Sequence, residues 1–236
     1  MRRALLSSPV FIALAALALL AGSAAHAQPP PDTMAQRMQV CTACHGKEGR
    51  ATREGYFPRI AGKPAGYLFN QLENFQLGRR NNEAMVHLVD HLTPAYLQEI
   101  AAYFSSLELP HPPAQPPDVA PAVLERGARL VRQGDPARQL PSCTSCHGDR
   151  MTGVQPAMPG LLGLPRDYLI AQLGAWRTGQ RKSAAPDCMG TIANRLSPDD
   201  VSAVAAWLAA QDVPRDGAPA ARLAAPLPLD CGSGLQ

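Results

Sequence analysis

The chain has 236 residues, with 22 Lys and Arg against 19 Asp and Glu and a formal net charge of +3. That even balance excludes a nucleic-acid partner, which needs a clustered basic surface. Only 5% of the residues are aromatic, so two lobes of about 90 residues each would have thin cores in need of a covalent or metal staple.

Arg2 and Arg3 give a short basic start, Val10 to Ala21 is apolar, and Ala25-His26-Ala27 is a small-x-small cleavage signal. The apolar run is well short of the roughly 20 residues that span a bilayer. Residues 1–27 therefore read as a signal peptide cleaved near Ala27, with an uncleaved anchor as the alternative. A short helix is expected over Asp32–Val40. It leads into "CTACHG" at 41–46, which returns as "CTSCHG" at 143–148.

Cys-x-x-Cys-His is the attachment signature of c-type haem. Two thiols three positions apart can add to the two vinyl groups of one porphyrin, and the adjacent histidine offers the iron an imidazole. A disulfide or thioredoxin-like pair, or a zinc site shared by the two pairs, are the rival readings. Duplication behind an export signal favours haem. The expectation is two covalently attached haem c groups, held by Cys41, Cys44 and His45 and by Cys143, Cys146 and His147.

The likeness continues beyond the cysteines, as in an internal repeat. "PRIAGKPAGYLFNQL" at 58–72 matches "PGLLGLPRDYLIAQL" at 159–173, which pairs Tyr67 with Tyr168 and Gln71 with Gln172. Each suggests a middle helix. "LTPAYLQEIAAYFSSL" at 92–107 matches "LSPDDVSAVAAWLAAQ" at 196–211. Here Thr93 and Ser197 are N-caps followed by Pro94 and Pro198. Leu97, Ile100, Phe104 and Leu107 form one apolar stripe, and Val201, Val204 and Leu208 the other. Ala122–Gln133 is a clear helix before the second haem motif. "LPHPPAQPPDVAP" at 109–121 is proline-rich and extended. The boundaries follow: a first domain over 28–108, a linker over 109–121, a second domain over 122–212 and a tail over 213–236 with little periodicity.

A low-spin electron-transfer haem needs a sixth ligand, usually Met or a second His. Met85 lies 7 residues before Leu92, and Met189 lies the same 7 before Leu196. That shared frame selects Met85 and Met189 as iron ligands over the core-filling role usual for Met, and it passes over Met151 and Met158. His87 and His91 are rivals in the first repeat, but their frame positions in the second are Thr191 and Arg195. His111 has no assigned role. Cys188 and Cys231 remain, and an even remainder in an oxidising compartment favours a disulfide that ties the tail over the Met189 loop.

With these residues placed, the chain resembles the cytochrome c4 family of dihaem class I cytochromes c over about residues 34–211. The likeness rests on the doubled C-x-x-C-H-G, the P-x-x-x-G-x-x-x-x-Y-x-x-x-Q-L segments, "GRRNNEAM" before Leu92, and the aromatic-bearing last helix. The second repeat departs from the first in running 10 residues from Gly179 to Met189, against 7 from Gly78 to Met85.

The resemblance implies an all-α fold of two tandem cytochrome c lobes facing each other about a pseudo-twofold axis, joined by the Pro-rich linker. It implies His/Met ligation in each lobe and a place in the periplasm. It also implies redox partner proteins, a quinol-oxidising complex as donor and a terminal oxidase as acceptor, with membrane association only through them. Saturated iron leaves no substrate site, so an electron carrier is expected rather than an enzyme. The alternatives are a dihaem enzyme of the peroxidase or thiosulfate-oxidising type, for which a Cys188 thiolate would supply an unusual ligand, or the cytochrome subunit of a periplasmic dehydrogenase.

Overall fold

The computed structural model describes residues 31–52 and 55–234; the expected signal peptide lies outside them. Two units meet at Gln36. In the first, Thr33 Oγ1 accepts a hydrogen bond from Gln36 N at 3.2 Å. The second unit, Arg37–Gln236, holds every element described below except α1, most of which belongs to the first.

The helix expected over 32–40 is interrupted and extended. α1 (Met34–Arg37) is one turn, and α2 (Gln39–His45) runs through the whole first haem motif. α3 (Ala65–Gln76), α4 (Glu83–Val89) and α5 (Pro94–Ser105) complete lobe one. Lobe two contains α6 (Pro121–Gln133) and α7 (Thr144–His147), followed by α8 (Arg166–Arg177), α9 (Cys188–Arg195) and α10 (Pro198–Ala209). Between α7 and α8 a minimal antiparallel pair, β1 (Gly153–Val154) and β2 (Met158–Pro159), sets Val154 opposite Met158. The molecule is thus all-α in two tandem lobes, joined by a proline-rich segment.

The apolar stripes define the packing. α5 packs on α3, and α10 packs on α6 and α8. Leu97, Ile100 and Phe104 are buried with Leu68 and Phe75, while Leu107 lies beyond the end of α5 and is only half-buried. Val201, Val204 and Leu208 join Leu130, Leu169 and Leu173 in the lobe-two core. Gly127 permits the close crossing of α6 and α10, because a Cβ there would lie 2.2 Å from Ala203 O and 2.8 Å from Trp207 Cβ.

The linker is strapped to both lobes. Arg59 donates to the carbonyls of Leu109 and Pro110 at 2.5 and 2.9 Å. On the other side Gln115 N donates to Ala209 O at 2.8 Å, and Asp118 pairs with Arg166 at 2.7 Å. His111 gains a packing role: its Nδ1 lies 2.8 Å from where a Cβ on Gly163 would be. Burial, with Arg59 and Lys63 nearby, lowers its pKa to about 4.

Both expected N-caps form: Thr93 Oγ1 accepts from Tyr96 N at 3.2 Å and Ser197 Oγ from Asp200 N at 3.1 Å. Asp200 does more than suit the helix dipole. It is fully buried, returns a hydrogen bond to Ser197 N at 2.9 Å, and pairs with Arg126 of α6 at 2.7 Å and with Arg138 at 2.6 Å. Burial opposes its ionisation, but Arg138, Ser197 and Arg126 together hold the carboxyl well below the usual range. Replacing Asp200 by Asn should cost about 1–3 kcal/mol of stability at neutral pH, since a neutral amide offers one acceptor oxygen where the carboxylate bonds two arginines and Ser197 N. The lowered folded pKa means that this contribution is fully present above the unfolded value of about 3.9 and is lost as pH falls below it. Unfolding curves of variant and wild type should therefore converge in acid and separate near pH 7.

Candidate haem sites and the interface between them

α2 places Cys41 and Cys44 one turn apart, with His45 buried at its end. The chain then reverses at Gly46, whose φ of +76° favours glycine and where a Cβ would lie 2.3 Å from Ala51 O. That turn lets His45 Nδ1 bond the Pro58 carbonyl at 2.8 Å. In lobe two His147 Nδ1 bonds Pro159 O, also at 2.8 Å. The bond fixes the tautomer and leaves Nε2 of each ring for a metal. Burial lowers the pKa of both rings, with the backbone bond opposing it, so both stay neutral as ligation requires.

Burial raises the thiols of Cys41 and Cys146 and, with Cys146 nearby, pushes Cys143 up to about 12. Redox-active pairs need the opposite shift. None of these four cysteines is paired with another. Among the described residues no three His, Cys, Asp or Glu side chains converge as a metal site.

Met85 lies in the first turn of α4, where Asn82 caps the helix by accepting from Met85 N at 3.1 Å. Met189 lies in the first turn of α9, capped instead by Asp187, which accepts from Gly190 N at 2.8 Å and from Ser183 Oγ at 2.7 Å. Neither short helix was legible in the sequence. Met85 and His45 line one cavity of about 700 Å³, with Leu72, Phe75 and Ile60 among its apolar walls. Met189 is half-buried and packs with Cys143 and Trp176 against the lobe-two core. His87 and His91 are exposed.

The lobe-one cavity extends to Gln172 and Arg181 of lobe two. The segments after α3 and α8 meet there, with Arg80 opposite Arg181 in an antiparallel bridge. Asn81 N donates to Gln180 O at 3.1 Å, and Lys182 N to Arg79 O at 2.5 Å. Each guanidinium also bonds both repeat-related glutamines. Arg80 donates to Gln71 at 3.1 Å and Gln172 at 2.9 Å; Arg181 donates to Gln172 at 2.7 Å and Gln71 at 2.9 Å. Burial draws Arg181 down from its ordinary pKa, helped by Arg80. The repeat that pairs Gln71 with Gln172 could have flagged these arginines, because Arg80 and Arg181 occupy one frame position.

Lys63 also lines this cavity, where the repeat has buried Leu164. Burial pulls its pKa below the usual value. None of Lys63, Arg80 and Arg181 makes an ion pair with a carboxylate among the described residues. Such a cluster calls for an anion. Spaced thiols, a neutral imidazole and a thioether around one apolar cavity, with unpaired cations at its border, suit haem c and its carboxylate side chains.

Cys188 is bonded to Cys231, with Cα atoms 5.0 Å apart, as the cysteine count implied. The irregular tail is pinned elsewhere too. Ala220 bridges Val154, Asp216 pairs with Arg150 at 3.1 Å, and Ser233 O accepts from Asn70 of lobe one at 3.1 Å.

Two such motifs on two helical lobes define a dihaem c-type cytochrome. The cytochrome c family model matches residues 124–212. A "Thiosulfate dehydrogenase electron acceptor" of Thiomonas intermedia is 37% identical over 85% of this chain and 90% of its own length. A cytochrome c4 of Pseudomonas aeruginosa is 33% identical over 88% and 98%. The crystal structure of reduced cytochrome c4 from Pseudomonas stutzeri superposes with a TM-score of 0.65 at 30% identity, over 75% of this chain and 96% of that one. The chain belongs to the cytochrome c4 family. Its cofactors are two covalently attached haem c groups, and its relatives are electron-transfer proteins.

The disulfide closes a separation of 43 residues, for which the chain-entropy account gives about 4 kcal/mol. Cys231→Ser should lower the thermal midpoint. Thermal unfolding of the oxidised wild type and the variant checks the shift.

Proposed function

We propose that the chain is a periplasmic electron carrier in which His45 and Met85 ligate one haem iron and His147 and Met189 the other. Cys41 with Cys44, and Cys143 with Cys146, form the thioether links. When bound, the haems supply one-electron Fe(III)/Fe(II) chemistry, and the chain tunes it by ligand identity, burial and local charge. The two Nδ1–carbonyl bonds orient the imidazoles. The apolar walls exclude water, and the interface cations favour the more negative, reduced state.

The observation that carries this reading over a dihaem enzyme is the Cys188–Cys231 disulfide. It removes the thiolate that would have given lobe two an unusual ligand, and leaves the thioether of Met189 beside it.

For the donor we favour a thiosulfate dehydrogenase over a quinol-oxidising complex, with a terminal oxidase as acceptor. Support comes from the higher identity to thiosulfate dehydrogenase electron acceptors, 37% and 38%, than to cytochromes c4 at 30–33%. The purified dihaem protein should be reduced by thiosulfate only when such a dehydrogenase is present. Thiosulfate oxidation by the chain alone would make it an enzyme, and reduction only by a quinol-oxidising complex would restore the other donor. Met85→Ala and Met189→Ala should each lower one of the two potentials and leave the other close to wild type; unchanged titrations would remove them as ligands.

A further inference from the structure

One buried donor beside the interface has nothing to bond. The indole Nε1 of Trp176 is enclosed and has no acceptor among the described residues, a situation folded proteins avoid. The repeat puts Trp176 of α8 where α3 has Phe75. Phe75 lines the lobe-one cavity with His45 and Met85, and Trp176, like Cys143 and Met189, packs against the lobe-two core. Each ring also carries its interface arginine: Arg181 Cζ lies 3.8 Å from the Trp176 centroid and Arg80 Cζ 4.7 Å from that of Phe75.

Arg181 is 5% exposed, and its side-chain partners, Gln71, Gln172 and Tyr67, are all neutral groups. Lobe two thus brings together an N–H without an acceptor and a cation without an anion. A carboxylate satisfies both, and haem c carries carboxylate side chains. At the equivalent place lobe one offers an arginine and a ring with no donor.

We propose that Trp176 is a positioning residue for the lobe-two haem, its indole N–H donating to a haem carboxylate beside Arg181, and that Phe75 in its place makes the lobe-one haem unequal. The donor draws negative charge away from the lobe-two iron, so that haem accepts an electron more readily than it would beside phenylalanine. The inference rests on the two haems but not on the donor proposed above. A wrong donor would show in the thiosulfate assay and leave the following titrations unchanged.

The full haem-loaded chain is titrated with the two haems resolved spectrally. Trp176→Phe should lower one potential and leave the other superimposed on wild type. The reciprocal Phe75→Trp should raise the other one, a shift of opposite sign at the opposite haem that loosened packing would not produce. Trp176→Phe titrating like wild type, or moving both haems together, overturns the proposal. Should a variant fail to take up haem, the wild-type protein labelled with ¹⁵N-tryptophan decides. A slowly exchanging Trp176 indole N–H whose resonance moves between the oxidised and reduced forms supports the assignment; exchange at the rate of a solvent-exposed indole sinks it.

Discussion

Two arginines held against each other across the lobe boundary are the constraint on which the rest of the structure turns. Arg80 and Arg181 sit opposite one another in a backbone bridge, and like charges that close repel strongly once water is excluded. What the protein supplies in return is symmetric: two glutamine oxygens, each shared by both guanidiniums. Neutral acceptors orient the charges without cancelling them. The interface therefore keeps a positive field, strengthened by Lys63, and that field has a use only if anions are to be held beside it. The feature that docks the lobes thus also sets positive charge at the border of the lobe-one cavity.

The duplicated unit has been reinforced unequally. Lobe two owns the buried Asp200 hub, the disulfide and the pinned tail. Arg138, which reaches Asp200 at 2.6 Å, comes from the segment between α6 and the second haem motif. Thin cores built from Ala, Leu and Val bury little area per residue, and each of these devices compensates for that. α10 shows the economy: Ala203, Ala205, Ala206 and Ala209 are all buried, which brings helices close enough that Gly127 becomes necessary. Lobe one instead fills its core with Phe75 and Phe104, and its helices need no such approach.

Much of this was legible in the sequence because the repeat supplied a second reading of every position. The long helices, both proline-led N-caps and the apolar stripes emerged nearly as expected; α6 begins one residue earlier than its pattern, at Pro121. The haem cysteines and histidines stand beside their expected cavity and core. What periodicity could not reveal were features made by tertiary contact. α4 and α9 are too short to show a period and owe their start to Asn82 and Asp187, whose roles depend on what they accept from. Asp200 stands where an acidic residue commonly favours a helix N-terminus, and it is in fact the buried partner of two arginines from other segments. The interface arginines were hidden by ordinariness, since a basic residue after a helix usually faces water.

The adjacent sulfurs at 188 and 189 show how local geometry separates two chemistries. Both open α9, and successive residues of a helix point about 100° apart. One side chain can thus face the tail while its neighbour faces the lobe-two core. Cys188 takes the first direction and is consumed by Cys231; Met189 takes the second and packs, as Cys143 and Trp176 do, against the lobe-two core. The same turn that offers a thioether to the interior therefore anchors a strap outside it, and the strap's next residues reach lobe one at Asn70. A reducing environment would release the Cys188 anchor without touching the thioether, and leave the tail held by its contacts at Val154, Arg150 and Asn70. The chemistry of the Met189 thioether is thus independent of the staple, while the mechanical support of its loop is not.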